Sequence, residues 1–529
     1  MSAILSANDL NDFINPGVAC IKQVEIPNYE VTKENDRPAH IAFTDCLACS
    51  GCVTSAEAVL ISLQSHDEVL NTLDRFPEKS WNGEKRDGKI FIATVSPQAR
   101  ASIAATYKIS ERHAGHLIAQ LLSGPEGLRA GGAHGSGFHW LIDSNALRDL
   151  ALVTTADEIS SSSDASPKTP VLTSACPGWI CYAEKTHPHI LPHLSRIKSP
   201  QALAGTIVKS ILASQLGVSP ADVWHLAIMP CFDKKLEASR TELASQAWRK
   251  NVDEAVRDVD CVITPRELLK LAQTRGISLH NFPRKPVNQA PFPDPIIDRF
   301  LFRRRLPRPP DLPADQVGTG GGYLYHILKN QQSLHPNSTL QVKPGRNSDV
   351  AVYEIISPDG TSLFKAARYY GFRNIQNLVR GLKPSKPSRI PDARVPHKKS
   401  VGVSDYAYAE VMACPGGCTN GGGQIKVDDL REMDGEARID LTSKQWLAEV
   451  DEAYWSADSD EMEKTESRID DGSSHGKIID GIDHDYVLGV LDHWAEITRT
   501  KKEDLVYTSY REVKKNVGLS AAMVADGGW

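Results

Sequence analysis

Cys414 and Cys418 stand four residues apart in Glu410-Val-Met-Ala-Cys-Pro-Gly-Gly-Cys-Thr-Asn-Gly-Gly-Gly, with five glycines between Gly416 and Gly423. Helical spacing would set the two thiols about one turn apart on one face. The glycines let the backbone approach something bulky and take positive φ, and with Pro415 they argue against a plain helix interior. A tight loop feeding a helix is expected, with both sulfurs aimed at one inorganic object. Two core cysteines beside a flexible loop is the plainer alternative.

Ten cysteines in 529 residues are too few for a disulfide scaffold. In a reducing compartment, clustered cysteines read as metal ligands or redox groups. Cys46, Cys49 and Cys52 follow one another at two-residue gaps, a run that resembles the ferredoxin pattern for a [4Fe–4S] cluster. Such a cluster needs four thiolates and the usual downstream Cys-Pro is absent, so Cys20 is the expected fourth ligand. Zinc is the competing reading, since Cys-x2-Cys is also half a zinc site.

Two further thiols follow apolar runs that read as strands. Cys176, in Thr173-Ser-Ala-Cys-Pro-Gly-Trp179, falls at an N-cap position with Pro177 opening a helix. The positive helix end should then lower its pKa. Cys231 follows Met229-Pro230 and precedes Lys234 and Lys235, which are placed in sequence to offset a net-negative cluster. In α/β sheets, sites form beyond the carboxyl ends of strands. Cys176, Cys231, Cys414 and Cys418 can therefore meet in one cleft as a second four-thiolate site.

The elements that would position these thiols alternate. Strands are expected at Lys89–Val95, Leu150–Thr154, Pro170–Thr173, Val223–Met229, Asp260–Thr264 and Val350–Ile356. Helices are expected from Pro97 to about Tyr107, after Pro265, near Leu324–Leu328, over Ala366–Leu382 and over Val487–Ile497. This order argues for an α/β body with largely parallel sheets. Residues 159–169 form a Ser-rich polar loop, 281–313 a Pro/Arg-rich surface insertion, and 456–476 an acidic linker or loop. Gly318-Thr-Gly-Gly-Gly-Tyr323 lacks the Gly-Lys-Ser/Thr ending of a phosphate loop, so nucleotide binding is not expected.

Hydrophobic residues at 41%, charged residues at 24% and a net charge of −6 suit a soluble globular chain. They give no sign of a basic nucleic-acid surface. There is no basic, then apolar, secretory start and no apolar run of membrane-spanning length. The expectation is a cytoplasmic protein, with the nucleus also open, that contacts neither nucleic acid nor membrane.

TSxCPGW, MPCxxKxxE and ExMxCxxGCxxGGG resemble, in order, the three signatures of the [FeFe]-hydrogenase active-site domain over about residues 84–440. With Cys20 and the 46/49/52 triplet, the chain resembles the eukaryotic iron-only-hydrogenase-like proteins, the nuclear prelamin A recognition factor-like family. The resemblance implies two [4Fe–4S] clusters and a two-lobed α/β body. Region 1–83 would be a small ferredoxin-like cluster region, 84–442 the hydrogenase-like domain, and 443–529 a C-terminal segment packed on it.

The resemblance also implies an adaptor role in cytosolic iron–sulfur protein assembly. The partners would be an early P-loop scaffold complex and a late targeting complex that includes a WD40 propeller subunit. Hydrogenases carry Cys-Cys in the first signature, and the first thiol relays protons. Here that place is Ala175, which cannot exchange one, so no hydrogenase activity is expected; an active hydrogenase remains the enzyme-class alternative. Cys181 and Cys261 match no ligand position. The ending Asp526-Gly-Gly-Trp529 is similar to the short Trp- or Phe-terminated tails of late-machinery clients, although Gly527 and Gly528 depart from the usual pattern. Trp529 is thus a candidate docking residue.

Overall fold

A computed structural model describes residues 61–79, 88–160, 166–249, 255–302, 312–383, 405–434, 441–462 and 476–513. Cys20, Cys46, Cys49, Cys52 and Trp529 lie outside these residues.

Two sheets form the body. In the first, β1 (Ile90–Val95), β2 (Trp140–Asp143), β4 (Val223–Ile228) and β5 (Cys261–Ile263) run parallel in the order β2-β1-β4-β5. β1 is buried on both faces: Ile90 and Ile92 enter one core, and Phe91, Ala93 and Val95 another. Continuous apolar strands of this kind are what a parallel sheet covered on both sides demands. The second sheet is mixed, with β3 (Val171–Thr173), β6 (Thr339–Pro344), β7 (Val350–Ile356), β8 (Ser362–Tyr370) and β9 (Tyr408–Met412) in the order β3-β9-β8-β7-β6. β3, β9 and β8 are parallel, and β7 and β6 add antiparallel.

Capping chemistry sets the helix starts. Ser96 accepts from Ala99 N–H with Pro97 in the first turn, so the helix Pro97–Tyr107 begins where its sequence signals it. Thr264 and Glu267 form a capping box on the helix Pro265–Thr274. The helix His484–Thr498 buries Val487, Val490, Leu491 and Trp494, one face at helical spacing, and Trp494 donates to Ser210 Oγ at 2.8 Å.

Four expectations are corrected. Leu150–Thr154 is not a strand but the middle of the helix Asn145–Ser160, packed between the helices Pro200–Leu216 and Tyr323–Leu334. A short apolar run alone does not separate a buried helix from a buried strand. Residues 366–370 are not helical; they belong to β8, and the helix starts at Phe372. Pairing to β7 on one side and β9 on the other outweighs the helix preference of its alanines. Within the Pro/Arg-rich stretch, Pro295–Phe302 is a helix that buries Ile297, Phe300 and Leu301, not part of an extended insertion. Residues 456–462 are helical, the end of Ser443–Met462, not linker.

Candidate metal centre

Three strand ends, from two sheets, deliver four of the six described thiols. β3 leads through Ser174 and Ala175 to Cys176, the N-cap of the helix Pro177–Thr186, whose side chain makes no capping bond and stays available. Ser174 Oγ donates to Val411 O at 2.5 Å and accepts from Cys176 N–H at 3.0 Å, tying this turn to β9. β4 leads to Pro230 and Cys231, and β9 leads to Ala413 and Cys414.

The loop after β9 is not one continuous helical turn. Gly416 and Gly417 take φ of 74° and 104°, and Cys418 opens a short 3-10 turn. At Gly417 a side chain would strike Thr319 Oγ1, so backbone conformation and close approach both require glycine. The loop then returns to β4, where Gly423 N–H donates to Pro230 O at 3.0 Å. The Cys231 segment and the Cys414–Cys418 segment are therefore fastened to each other.

The four sulfurs share one electrostatic environment. Cys176, Cys231 and Cys418 each act on Cys414, and Cys176 and Cys418 each act on Cys231. Burial pushes all four thiols up, Cys418 to about 12. The lowered Cys176 pKa expected from the helix end is thus corrected, because desolvation outweighs it. Lys234, 7% exposed, is the cation that favours thiolate at Cys176, Cys231 and Cys418. Its Nζ lies 2.8 Å from Glu237 Oε2. Lys235 points elsewhere, to Gln64 O at 2.5 Å and Glu267 at 2.6 Å, so the expected pair of offsetting lysines reduces to one. Asp233, a buried carboxylate whose pKa burial raises to about 6, opposes ionisation of Cys176, Cys231 and Cys414; nothing in its sequence spacing marks it for this role.

Four buried thiols that act on one another, with one facing lysine, are a donor set of the chemistry that holds an iron–sulfur cluster. Backbone N–H groups of Trp179 and Ala413 favour the thiolate form at Cys176, and N–H groups facing sulfur tune cluster sulfurs. Cys176, Cys231, Cys414 and Cys418 would hold it. When bound, it would supply one-electron chemistry or a deliverable iron–sulfide unit. Cys261 lies in β5 at 0% exposure, with Sγ 3.9 Å from Ser65 O, and is a structural thiol. Cys181 is held up to about 12, by burial first, and its principal cationic neighbour is Arg240.

The glycine-rich stretch 318–322 is part of this centre's support, not an open loop. Thr319 Oγ1 lies 3.2 Å from Gly416 O and 2.9 Å from Thr419 Oγ1, and Gln98 donates to Thr319 O at 3.0 Å. Ala175 lines a cavity of about 40 Å³ together with Cys176, Lys198, Ser199, Arg240 and Tyr510. The segment 506–513 crosses beside it: Thr508 N–H donates to Arg196 O at 2.7 Å, Tyr510 Oη to Ser195 O at 2.7 Å, and Val513 N–H to Glu184 O at 3.1 Å.

Fold and centre define an iron-only hydrogenase-type body. Residues 89–422 match the family described as iron only hydrogenase large subunit, C-terminal domain. A single-site variant of apo [FeFe]-hydrogenase HydA1 from Chlamydomonas reinhardtii superposes with a TM-score of 0.55 at 22% identity, over 85% of this chain and 99% of that one. That likeness concerns the fold alone. The cytosolic Fe-S cluster assembly factor nar1 of Emericella nidulans is 53% identical, covering 99% of this chain and 97% of its own length. The cytosolic Fe-S cluster assembly factor NAR1 of Coccidioides immitis is 51% identical, covering 99% and 98%. The chain belongs to this family of cytosolic Fe-S cluster assembly factors. Among the described residues no helix is long and apolar enough to cross a membrane.

Proposed function

We propose that the protein is a non-catalytic iron–sulfur adaptor in cytosolic cluster assembly, active in the cytoplasm and the nucleus. It links an early P-loop scaffold complex to a late targeting complex with a WD40 propeller subunit. Its N-terminal region, 1–83, holds one [4Fe–4S] cluster on Cys20, Cys46, Cys49 and Cys52. Its hydrogenase-like domain, 84–442, holds a second on Cys176, Cys231, Cys414 and Cys418. The segment 443–529 ends in Trp529, which docks the targeting complex.

The observation that carries this reading is the convergence of four thiols next to Ala175. Four thiols stand ready to hold a cluster, while the residue at the proton-relay place, Ala175, carries only a methyl group. The assembly-factor names of relatives at about half identity over full length support the same class. The test is a pull-down of anaerobically prepared protein with its cytosolic neighbours, combined with iron and acid-labile sulfide analysis. Co-purification of both complexes with a protein holding two clusters is expected. Hydrogen evolution under a strong reductant, with infrared bands of CO and CN ligands, would instead support the hydrogenase alternative.

A further inference from the structure

Glu410 is the least expected residue near the metal centre: a carboxylate in the middle of β9 at 0% exposure. Its Oε2 accepts from Leu324 N–H at 2.7 Å and its Oε1 from Tyr370 Oη at 2.8 Å. Leu324 lies in the first turn of the helix Tyr323–Leu334, where backbone N–H groups lack partners within the helix and the dipole favours an anion. Both oxygens are thus served by neutral donors.

The carboxylate is also wedged in place. A Cβ on Gly320 would come within 2.8 Å of Glu410 Oε1 and 2.5 Å of Tyr370 Oη. The neighbouring Thr319 is the residue that touches Gly416 and Thr419. A single side chain therefore joins β9, β8 and the glycine-rich loop that backs the Cys414–Cys418 turn.

We propose that Glu410 is a positioning and charge-setting residue of the four-cysteine centre, a fixed anion on the strand that leads into the Cys414–Cys418 turn, which lowers the reduction potential of the cluster held there. The proposal rests on the reading that these cysteines hold a cluster. A fixed negative charge disfavours the more negative, reduced form of a nearby centre, and weak solvent screening in the interior makes this felt. Glu410 stands on the strand that delivers Cys414, and the loop packed over its carboxylate carries Thr319, whose hydroxyl lies 2.9 Å from that of Thr419, the residue after Cys418. Burial raises the Glu410 pKa, while Leu324 N–H, the Tyr370 hydroxyl and Arg368 favour its charged form; Arg368 is itself bound to Gln316 O at 3.1 Å and Ser348 O at 2.7 Å.

The experiment uses full-length protein carrying Cys52→Ala, so that the remaining iron signal belongs to this centre. Glu410→Gln keeps the shape. Its amide oxygen can accept from Leu324 N–H, and its NH2 can donate to the Tyr370 hydroxyl, which also accepts. E410Q should retain the iron of its parent, with the midpoint potential at pH 8 shifted to more positive values. Tyr370→Phe keeps the charge and removes one donor, so it should shift the potential the other way. Opposite shifts are not what loosened packing alone would give. An unchanged potential in E410Q overturns the proposal. So does a positive or absent shift in Y370F, which decides the matter should E410Q fail to fold. Absence of iron in the C52A parent, with iron present before that change, would sink the four-cysteine reading itself.

Discussion

Thr419, the residue after Cys418, donates its hydroxyl to Asp451 Oδ1 at 2.6 Å. Asp451 sits on the helix Ser443–Met462, which closes over the ligand loop and also donates Trp446 Nε1–H to Ile425 O at 2.6 Å. Sequence-distant residues thus brace the turn that presents Cys418. Asp451→Ala should cost about 1 kcal/mol, the net worth of such a bond after desolvation. The more telling effect should be on iron: faster loss to a chelator in D451A than in the parent protein, measured by bleaching of the cluster absorbance.

Gly417 has a sharper prediction. An alanine there faces φ of 104° and a clash with Thr319 Oγ1. The backbone strain alone is worth about 1–3 kcal/mol. Gly417→Ala should lower bound iron by about half, because the proposed N-terminal cluster would not use this loop. Gly360→Ala, at a positive φ of 86° but with nothing within reach of a Cβ, should lower thermal stability and leave the iron content intact.

Where local rules suffice, the sequence was readable. Ser96-Pro97, Cys176-Pro177 and Thr264-Pro265 each mark a strand end and a helix start within a few residues, and all three helices begin there. That legibility extends to the site, because thiols that follow the carboxyl ends of parallel-paired strands lie where α/β sites form. What was not legible depends on partners far along the chain. β8 reads as helix until β7 and β9 pair with it, and Lys235 reads as a companion to Lys234 until Gln64 and Glu267 claim it. Glu410 stood in plain view inside a cysteine signature. Its contacts with Leu324 and Tyr370 lie 86 and 40 residues away, beyond any spacing rule.

The two cluster sites should be separable. Cys414→Ala removes a thiol from a proposed centre whose other ligands are Cys418 in the same loop and Cys176 and Cys231 at the ends of β3 and β4, so it should lose that cluster and lower the melting temperature of the main body. Cys52→Ala should remove only the N-terminal cluster. Iron and sulfide per chain should fall from about eight of each to about four in either variant, as two cubes require. Zinc rather than iron in anaerobically prepared C414A would reassign the 46/49/52 run.

Acid should loosen the C-terminal packing through His484. Its Nε2 lies 3.1 Å from His326 Nε2, with the rings stacked at 5.0 Å, and burial followed by the His326 charge lowers its pKa to about 4. The unfolded chain binds a proton near pH 6.5 and the folded chain only near 4, so this pair's stability is present above pH 6.5 and is lost as pH falls toward 4. The melting temperature should therefore drop between about pH 7 and about pH 5. His484→Gln should flatten that slope, and an equally steep slope in the variant would exclude the His pair as its source.

The segment that leads toward Trp529 is fastened to the metal centre's own framework. Arg511 N–H and Val513 N–H donate to Glu184, at Oε1 (3.0 Å) and O (3.1 Å), and Glu184 belongs to the helix that Cys176 caps. Glu184 is also gripped by Arg240 through two bonds, of 2.9 and 2.7 Å. Residues 514–529 lie beyond the described residues, so Trp529 enters as the proposed docking group: a large aromatic side chain is a good anchor for a partner pocket. Deleting Trp529 should weaken capture of the targeting complex in a pull-down. Iron content and melting temperature should stay at the parent values, since the anchors at Glu184 are untouched. A lower melting temperature with unchanged capture would make Trp529 part of the fold and leave the docking role to another surface.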